Sequence, residues 1–280
     1  MNHFPPLWIE SADAAALWPR LQSAPRSLLM LDYDGTLAPF HDDRFEATPY
    51  PGVEDRLSVL SGHSRVRLVL ITGRSARDLR DLLPTAVRFE IWGSHGRERL
   101  SADGSYELAA LDPLQLDALQ EVGQQLSGLG FAAALEMKPA SLAVHWRGLE
   151  PEAKERLRTL THSVFEHLIP ASGLQLLPFD GGLELRSPDR TKGTAVRQIL
   201  AQEPATLPVA YLGDDLTDED AFAEVGNRGA SILVRPVARP SSAGFWLRPP
   251  QDLLEFLDCW IEATTDALKD APASSAEASP

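Results

Sequence analysis

The 280-residue chain has one cysteine, Cys259, so no intramolecular disulfide can form and a zinc site built on two or four thiolates is excluded. Basic charge is scarce: 26 Lys and Arg face 40 Asp and Glu, for a formal net charge of −14. A duplex-binding protein needs a basic face and an anionic bilayer attracts one, so neither nucleic acid nor a membrane surface is an expected partner. Long apolar runs are missing too. The longest, such as 28–31 and 68–71, are strand-sized and far short of the ~20 residues a spanning helix needs. Residues 1–20 lack a basic stretch ahead of an apolar one, so no signal peptide is expected and the chain reads as cytoplasmic. What remains is ordinary globular composition, 44% hydrophobic and 24% charged, with length for about two domains and a sizeable core.

Three apolar runs, 28–31, 68–71 and 209–212, read as buried parallel strands, with another near 89–93. Helical patterns follow. Ser75 with Asp78, and Thr217 with Asp220, have capping-box spacing. Strand, turn and helix repeated this way predict a doubly wound α/β core. The middle differs. Asp112-Pro113 opens a helix with Leu116, Leu119, Val122 and Leu126 on one face and Gly128 at its end. Residues 131–138 and 141–147 read as a hairpin. A helix after Pro151 carries Ala153, Leu157, Leu160, Val164 and Leu168, and strands near 174–178 and 182–186 follow. The expectation is an α+β unit over 108–186, inserted in a core of 1–107 and 187–268. Residues 269–280 are small and polar and are expected to be disordered.

In an open α/β sheet, ligands bind beyond the carboxyl ends of the strands. After the first run comes Asp32-Tyr33-Asp34-Gly35-Thr36. Alternation puts Asp32 and Asp34 on one side, where mutual repulsion favours one ionised and one protonated carboxyl. An Asp-Gly turn with a solvated acid would have the same sequence. After the second run, Thr72-Gly73-Arg74-Ser75 opens a helix whose N–H groups suit a phosphate oxygen. Lys192 is one of four lysines and stands at a helix start, where a cation opposes the dipole unless an anion is near. After the last run, Asp214, Asp215, Asp218, Glu219 and Asp220 crowd seven positions, an oxygen-only donor set that suits Mg²⁺. In the insert, Glu136, Lys138, Ser141, His145, Arg147 and Glu184 alternate with apolar residues. They give each strand a polar face of mixed sign that suits a hydroxyl-rich ligand. Residues 39–67 show no pattern beyond a helix at 53–60.

DxDGT, then Thr, then Lys, then GDDxxD, with an insertion between the second and third motifs, resembles the haloacid dehalogenase superfamily of phosphohydrolases. The resemblance covers about 28–235. It implies an Asp32 nucleophile that forms an aspartyl-phosphate and an Asp34 acid and base. Mg²⁺ would sit on the Asp32 carboxylate, the Asp34 carbonyl and Asp214, with Asp215 and Asp218 behind them. Thr72, Gly73, Arg74 and Lys192 would bind phosphate. The stretch ExKxxSxxxHxR from Glu136 to Arg147, Ser94-His95-Gly96, and Leu183-Glu184-Leu185-Arg186 resemble trehalose-6-phosphate phosphatases with a C2-type cap. That implies trehalose 6-phosphate as substrate, with His95, Glu136, Lys138, Ser141, His145, Arg147 and Glu184 as sugar contacts. It also implies a free-standing monomer acting on a small sugar phosphate. Phosphatases of sucrose phosphate, glucosylglycerol phosphate or mannosyl-phosphoglycerate share the core motifs, and a non-catalytic sugar-phosphate sensor is the remote alternative.

Overall fold

A computed structural model describes residues 4–8, 11–41, 43, 45–83, 89–179 and 181–265. The expected disordered tail lies outside the described residues. After helices α1 (Ala12–Ala15) and α2 (Leu17–Ser23) comes strand β1 (Ser27–Leu31), five consecutive buried residues. Leu29 and Leu31 enter one apolar cluster and Leu28 and Met30 the other. A strand apolar on both faces belongs in the middle of a sheet covered on both sides. α3 (Val53–Gly62), β2 (Val66–Ile71), α4 (Ala76–Leu82) and β3 (Glu90–Gly93) follow. β1, β2 and β3 pair in parallel. A short antiparallel extension then appears that the sequence pattern did not announce, β4 (Glu98–Leu100) and β5 (Tyr106–Leu108). β5 is exposed throughout, so it lacks the buried alternation that marks a strand.

The insert begins where Asp112 accepts from the Leu114 N–H, with Pro113 first in α5 (Pro113–Leu126). Ala118, Leu119, Val122 and Leu126 form its buried stripe, whereas Leu116, expected there, is 41% exposed at the stripe's edge. Gly128 does not end this region. The chain runs on through a wide helical turn to Gly130, whose φ of 92° breaks it, and then through a 3₁₀ turn, Ala132–Ala134. The first insert strand, β6 (Leu135–Lys138), is therefore half the expected length, and Met137 is 52% exposed instead of buried. β7 (Ser141–His145), α6 (Pro151–Ser172), β8 (Gln175–Phe179) and β9 (Gly182–Arg186) complete an antiparallel sheet of order β6-β7-β9-β8. Its core includes Leu142, Val144, Leu157, Phe165 and Leu185 and is separate from the two core clusters.

α7 (Lys192–Leu200), β10 (Val209–Gly213), α8 (Glu219–Val225), β11 (Ala230–Val234), β12 (Phe245–Leu247) and α9 (Gln251–Thr265) return to the first sheet, whose order is β12-β11-β10-β1-β2-β3-β4-β5. The expected doubly wound α/β core with an inserted α+β unit is the architecture. Strand order reverses at β1, so the ends of β10, β1 and β2 meet where such sheets bind ligands. One helix start differs from expectation. Asp215 and Asp218 form the reciprocal cap of a 3₁₀ turn, and Thr217 with Asp220 does not cap α8. Among the described residues, no helix is long and apolar enough to cross a membrane.

Candidate active site

A cleft of about 720 Å³ lies between the strand ends and the insert's polar face. Asp32 leaves β1 at its floor, almost wholly buried. Lys192 Nζ, at the first position of α7, donates to Asp32 Oδ1 (2.7 Å) and Asp218 Oδ1 (2.8 Å). Thr36 Oγ1 donates to Asp32 Oδ2 (3.2 Å). Ligand oxygens of Asp32, Asp214 and Asp218 lie within 4.8 Å of one another. Burial, with Asp218 nearby, pushes the Asp32 carboxyl up to about 7 against the pull of Lys192. Burial and the Asp32 charge push Asp214 well up as well. Burial disfavours the Lys192 cation, but Asp218 and Asp32 outweigh it and hold the ammonium protonated. Gly35 makes this packing possible: its φ is +82°, and a Cβ there would stand 2.2 Å from Asp214 Oδ2.

Asp218 belongs to the oxygen cluster, yet it is already committed. It accepts from Lys192, from the Tyr211 hydroxyl, and from the Asp214 (3.1 Å) and Asp215 (2.9 Å) N–H groups. Four donors nearly exhaust a carboxylate's lone-pair sites, so Asp218 holds its neighbours and has little left for a ligand. Asp215 borders the cleft.

Asp34 also borders the cleft, and Arg74 grips it through both oxygens, Nε to Oδ2 and Nη2 to Oδ1, each 2.6 Å. A guanidinium that donates to both oxygens of a carboxylate fixes its orientation as well as holding it. The two aspartates thus have unlike surroundings: Asp32 is buried with other carboxylates nearby, while Asp34 has its own arginine. Gly73 and Arg74 line the cleft, but the buried Thr72 hydroxyl is turned to the Arg74 N–H (3.1 Å).

Above the floor, Glu184 of β9 is a hub. Lys138 Nζ and Ser141 Oγ donate to its Oε1, each at 2.8 Å, and His95 Nε2 meets its Oε2 at 2.7 Å. Burial, with Arg186 nearby, lowers His95 to about 4, so the ring is neutral at pH 7 and its Nε2–H donates to Glu184. Burial alone would raise Glu184, but Lys138 and His95 outweigh it and hold the carboxyl well below its usual range. The hub spans the two units. His95 comes from the core, and Lys138 also donates to the Gly73 carbonyl (2.8 Å). Ser141 is 3% exposed and does not border the cleft, so it supports Glu184 from behind. Glu136 pairs with His145 Nε2 (2.8 Å), and both line the cleft.

The segment after Asp34, to which the sequence reading gave no role, contributes Phe40, His41, Asp43 and Phe45 to the wall. The Arg147 guanidinium lies 4.8 Å from the Phe40 ring centre, a further contact between insert and core. Exposed aromatics so soon after a strand-end DxD were the available signal.

The model of the family described as trehalose-phosphatase matches residues 30–251. The chain belongs to this family. It is 32% identical over 248 residues to a trehalose-phosphate phosphatase of Mycobacterium marinum, covering 84% of this chain and 61% of that protein. This family member thus spans about three fifths of the length of that relative. The C-terminal domain of the C. albicans trehalose-6-phosphate phosphatase superposes with a TM-score of 0.75 at 20% identity, covering 93% of this chain and 99% of that one. A haloacid dehalogenase-like hydrolase from B. subtilis gives 0.57 at 15%, covering 83% and 99%. These structural likenesses show a shared fold, an α/β core with the inserted α+β unit.

Proposed function

We propose that this trehalose-phosphatase family member hydrolyses trehalose 6-phosphate to trehalose and phosphate, using Asp32 as nucleophile and Mg²⁺ as cofactor. The observation that carries the proposal is the buried Asp32–Lys192 pair at a strand end, beside Asp214 and beneath a cap with a polar face. The residues fit a hard cation. All donors are oxygens, and burial, with neighbouring carboxylates adding to it, pushes both Asp32 and Asp214 upward. Asp32, the Asp34 backbone carbonyl and Asp214 would hold Mg²⁺, with Asp215 and Asp218 behind them. Bound there, Mg²⁺ supplies charge that offsets the repulsion between a carboxylate and a phosphate dianion.

Asp32 attacks phosphorus, the phosphorus–oxygen bond to the sugar breaks, and an aspartyl-phosphate forms. Asp34 enters the cycle protonated, gives that proton to the departing sugar oxygen, and regains one from the water that cleaves the acyl phosphate. Arg74 must release one Asp34 oxygen for this, and an incoming phosphate offers the guanidinium a better bidentate partner. Lys192, the Gly73–Arg74 segment and Thr72 complete the phosphate site. Lys138, Glu184, Glu136, His145, Arg147 and His95 form the sugar side, and Ser141 steadies Glu184. The proposal includes a cytoplasmic monomer with a small sugar phosphate as its partner.

Phosphate release from trehalose 6-phosphate, with and without Mg²⁺, beside sucrose 6-phosphate and glucose 6-phosphate, tests it. Mg²⁺-dependent release selective for trehalose 6-phosphate is expected. Release from another sugar phosphate alone removes the sugar assignment and keeps the Asp32 chemistry, and no release from any removes both. Lys138→Ala should spare a small aryl phosphate and impair the disaccharide phosphate.

A further inference from the structure

Asp214 is held from two sides. From within, Asp218 fixes its N–H. From outside, two arginines on the segment between β11 and β12 reach its carbonyl: Arg235 Nη1 at 3.1 Å and Arg239 Nη2 at 3.4 Å. Arg235 Nη1 also stands 3.7 Å from Asp214 Oδ2. Among the described residues, it is the one cation within ion-pair range of that carboxylate. The arginines are themselves anchored. The Trp246 indole donates to the Arg235 carbonyl (2.8 Å). Arg239 pairs with Glu219, which also takes the Ser242 N–H (2.7 Å) and the Ser241 hydroxyl (2.9 Å). A single guanidinium, on a residue whose backbone is anchored, therefore reaches both the Asp214 carbonyl and one oxygen of its carboxylate.

We propose that Arg235 is a positioning residue for the metal site: it orients Asp214 so that its carboxylate is presented ready-made to a divalent cation. The inference rests on the reading of Asp214 as a ligand. Its sign can be decided. A guanidinium this close to a cation site repels the cation, so if Coulomb repulsion were all it contributed, removing it would tighten binding. Orientation predicts the reverse, because groups that hold metal ligands typically govern affinity by ten-fold or more. Arg239 supports the same carbonyl at longer range and should matter less.

The test is direct binding of Mn²⁺ to the full chain, read from the electron paramagnetic resonance signal of the free ion, with no substrate present. Arg235→Ala should weaken binding by roughly ten-fold. Arg235→Gln, which keeps a donor for the carbonyl and drops the charge, should weaken it less. Arg235→Lys, which keeps the charge and one donor, should recover most of the wild-type affinity. Unchanged or tighter binding in both Ala and Gln variants overturns the inference. If wild type itself binds no Mn²⁺ while Asp32→Asn also shows none, the reading of Asp214 as a ligand fails, a different outcome. Matching melting curves for wild type and the Gln variant confirm that the comparison is between folded proteins.

Discussion

Two buried clusters of carboxylates and cations face one cleft, and they are balanced oppositely. In the core, Asp32, Asp214 and Asp218 surround one buried lysine, with Arg235 at the rim, and Asp32 and Asp214 are pushed upward. In the cap, Glu184 alone meets Lys138, Ser141, His95 and the nearby Arg186, and its carboxyl is pushed well down. The core cluster has more negative charge than its surroundings can neutralise. In the cap cluster the carboxylate is fully engaged, while His95 Nδ1 and Arg186 Nε and Nη1 are buried without a hydrogen-bond partner. A site short of positive charge is poised to take a cation, whereas a carboxylate whose charge is already met serves first as a joint, here between β9, β6 and the core turn at His95. A sugar that contacts Lys138 and Glu184 must share partners that already bind each other, so its hydroxyls have to replace those hydrogen bonds as well as add to them.

Asp32→Asn is the sharpest way to break the comparison. Turnover should fall by about 10⁴-fold or more, as for loss of other nucleophiles, while circular dichroism stays unchanged. Loss of both together would make Asp32 a structural residue. Glu184→Ala comes next, because it leaves the buried Lys138 cation without its carboxylate. Unfolding stability should drop by about 3 kcal/mol, and less for Glu184→Gln, which keeps an acceptor. A neutral effect in denaturant titration would show that the hub does not join the units. Phe40→Ala should act most weakly. Cation–π contacts at such partly exposed sites contribute about 0.5–1 kcal/mol, so KM for the disaccharide phosphate should rise roughly two- to five-fold, with kcat for an aryl phosphate unchanged. Equal effects on both substrates would place Phe40 outside sugar recognition.

The strand-end chemistry was legible because each motif followed an apolar run, and β1, β2 and β10 fix those ends side by side. The cap's polar face was legible from alternation, and Glu136, Lys138 and Glu184 lie on it. What alternation overstated was strand length: Gly130 and the turn after it shorten β6, so Met137 is not in the core. The wall built by Phe40, His41, Asp43 and Phe45 was hidden because an irregular segment carries no periodic signal, and only the fold brings it to the cleft that Asp34 also borders. How the surroundings of the two aspartates differ was also hidden. Spacing predicts an unequal pair, but the Arg74 grip on Asp34 and the burial that pushes Asp32 upward come only from the fold.

The charge deficit in the core can be measured directly. The Asp32 carboxyl stands at about 7 in the folded chain against an ordinary 3.8, so between those values the folded protein holds a proton that the unfolded chain has lost. Stability from this group is present at low pH and is lost as pH rises through that window. His95, lowered to about 4, works in the opposite sense, so the informative quantity is the stability gained on adding Mg²⁺, from which His95 cancels. Mg²⁺ requires the ionised carboxylate, so that gain should grow as pH rises from about 4 to about 7 and level off above, in urea unfolding with Mg²⁺ against chelator. A gain that is absent, or equally large at both ends of the window, would contradict the account.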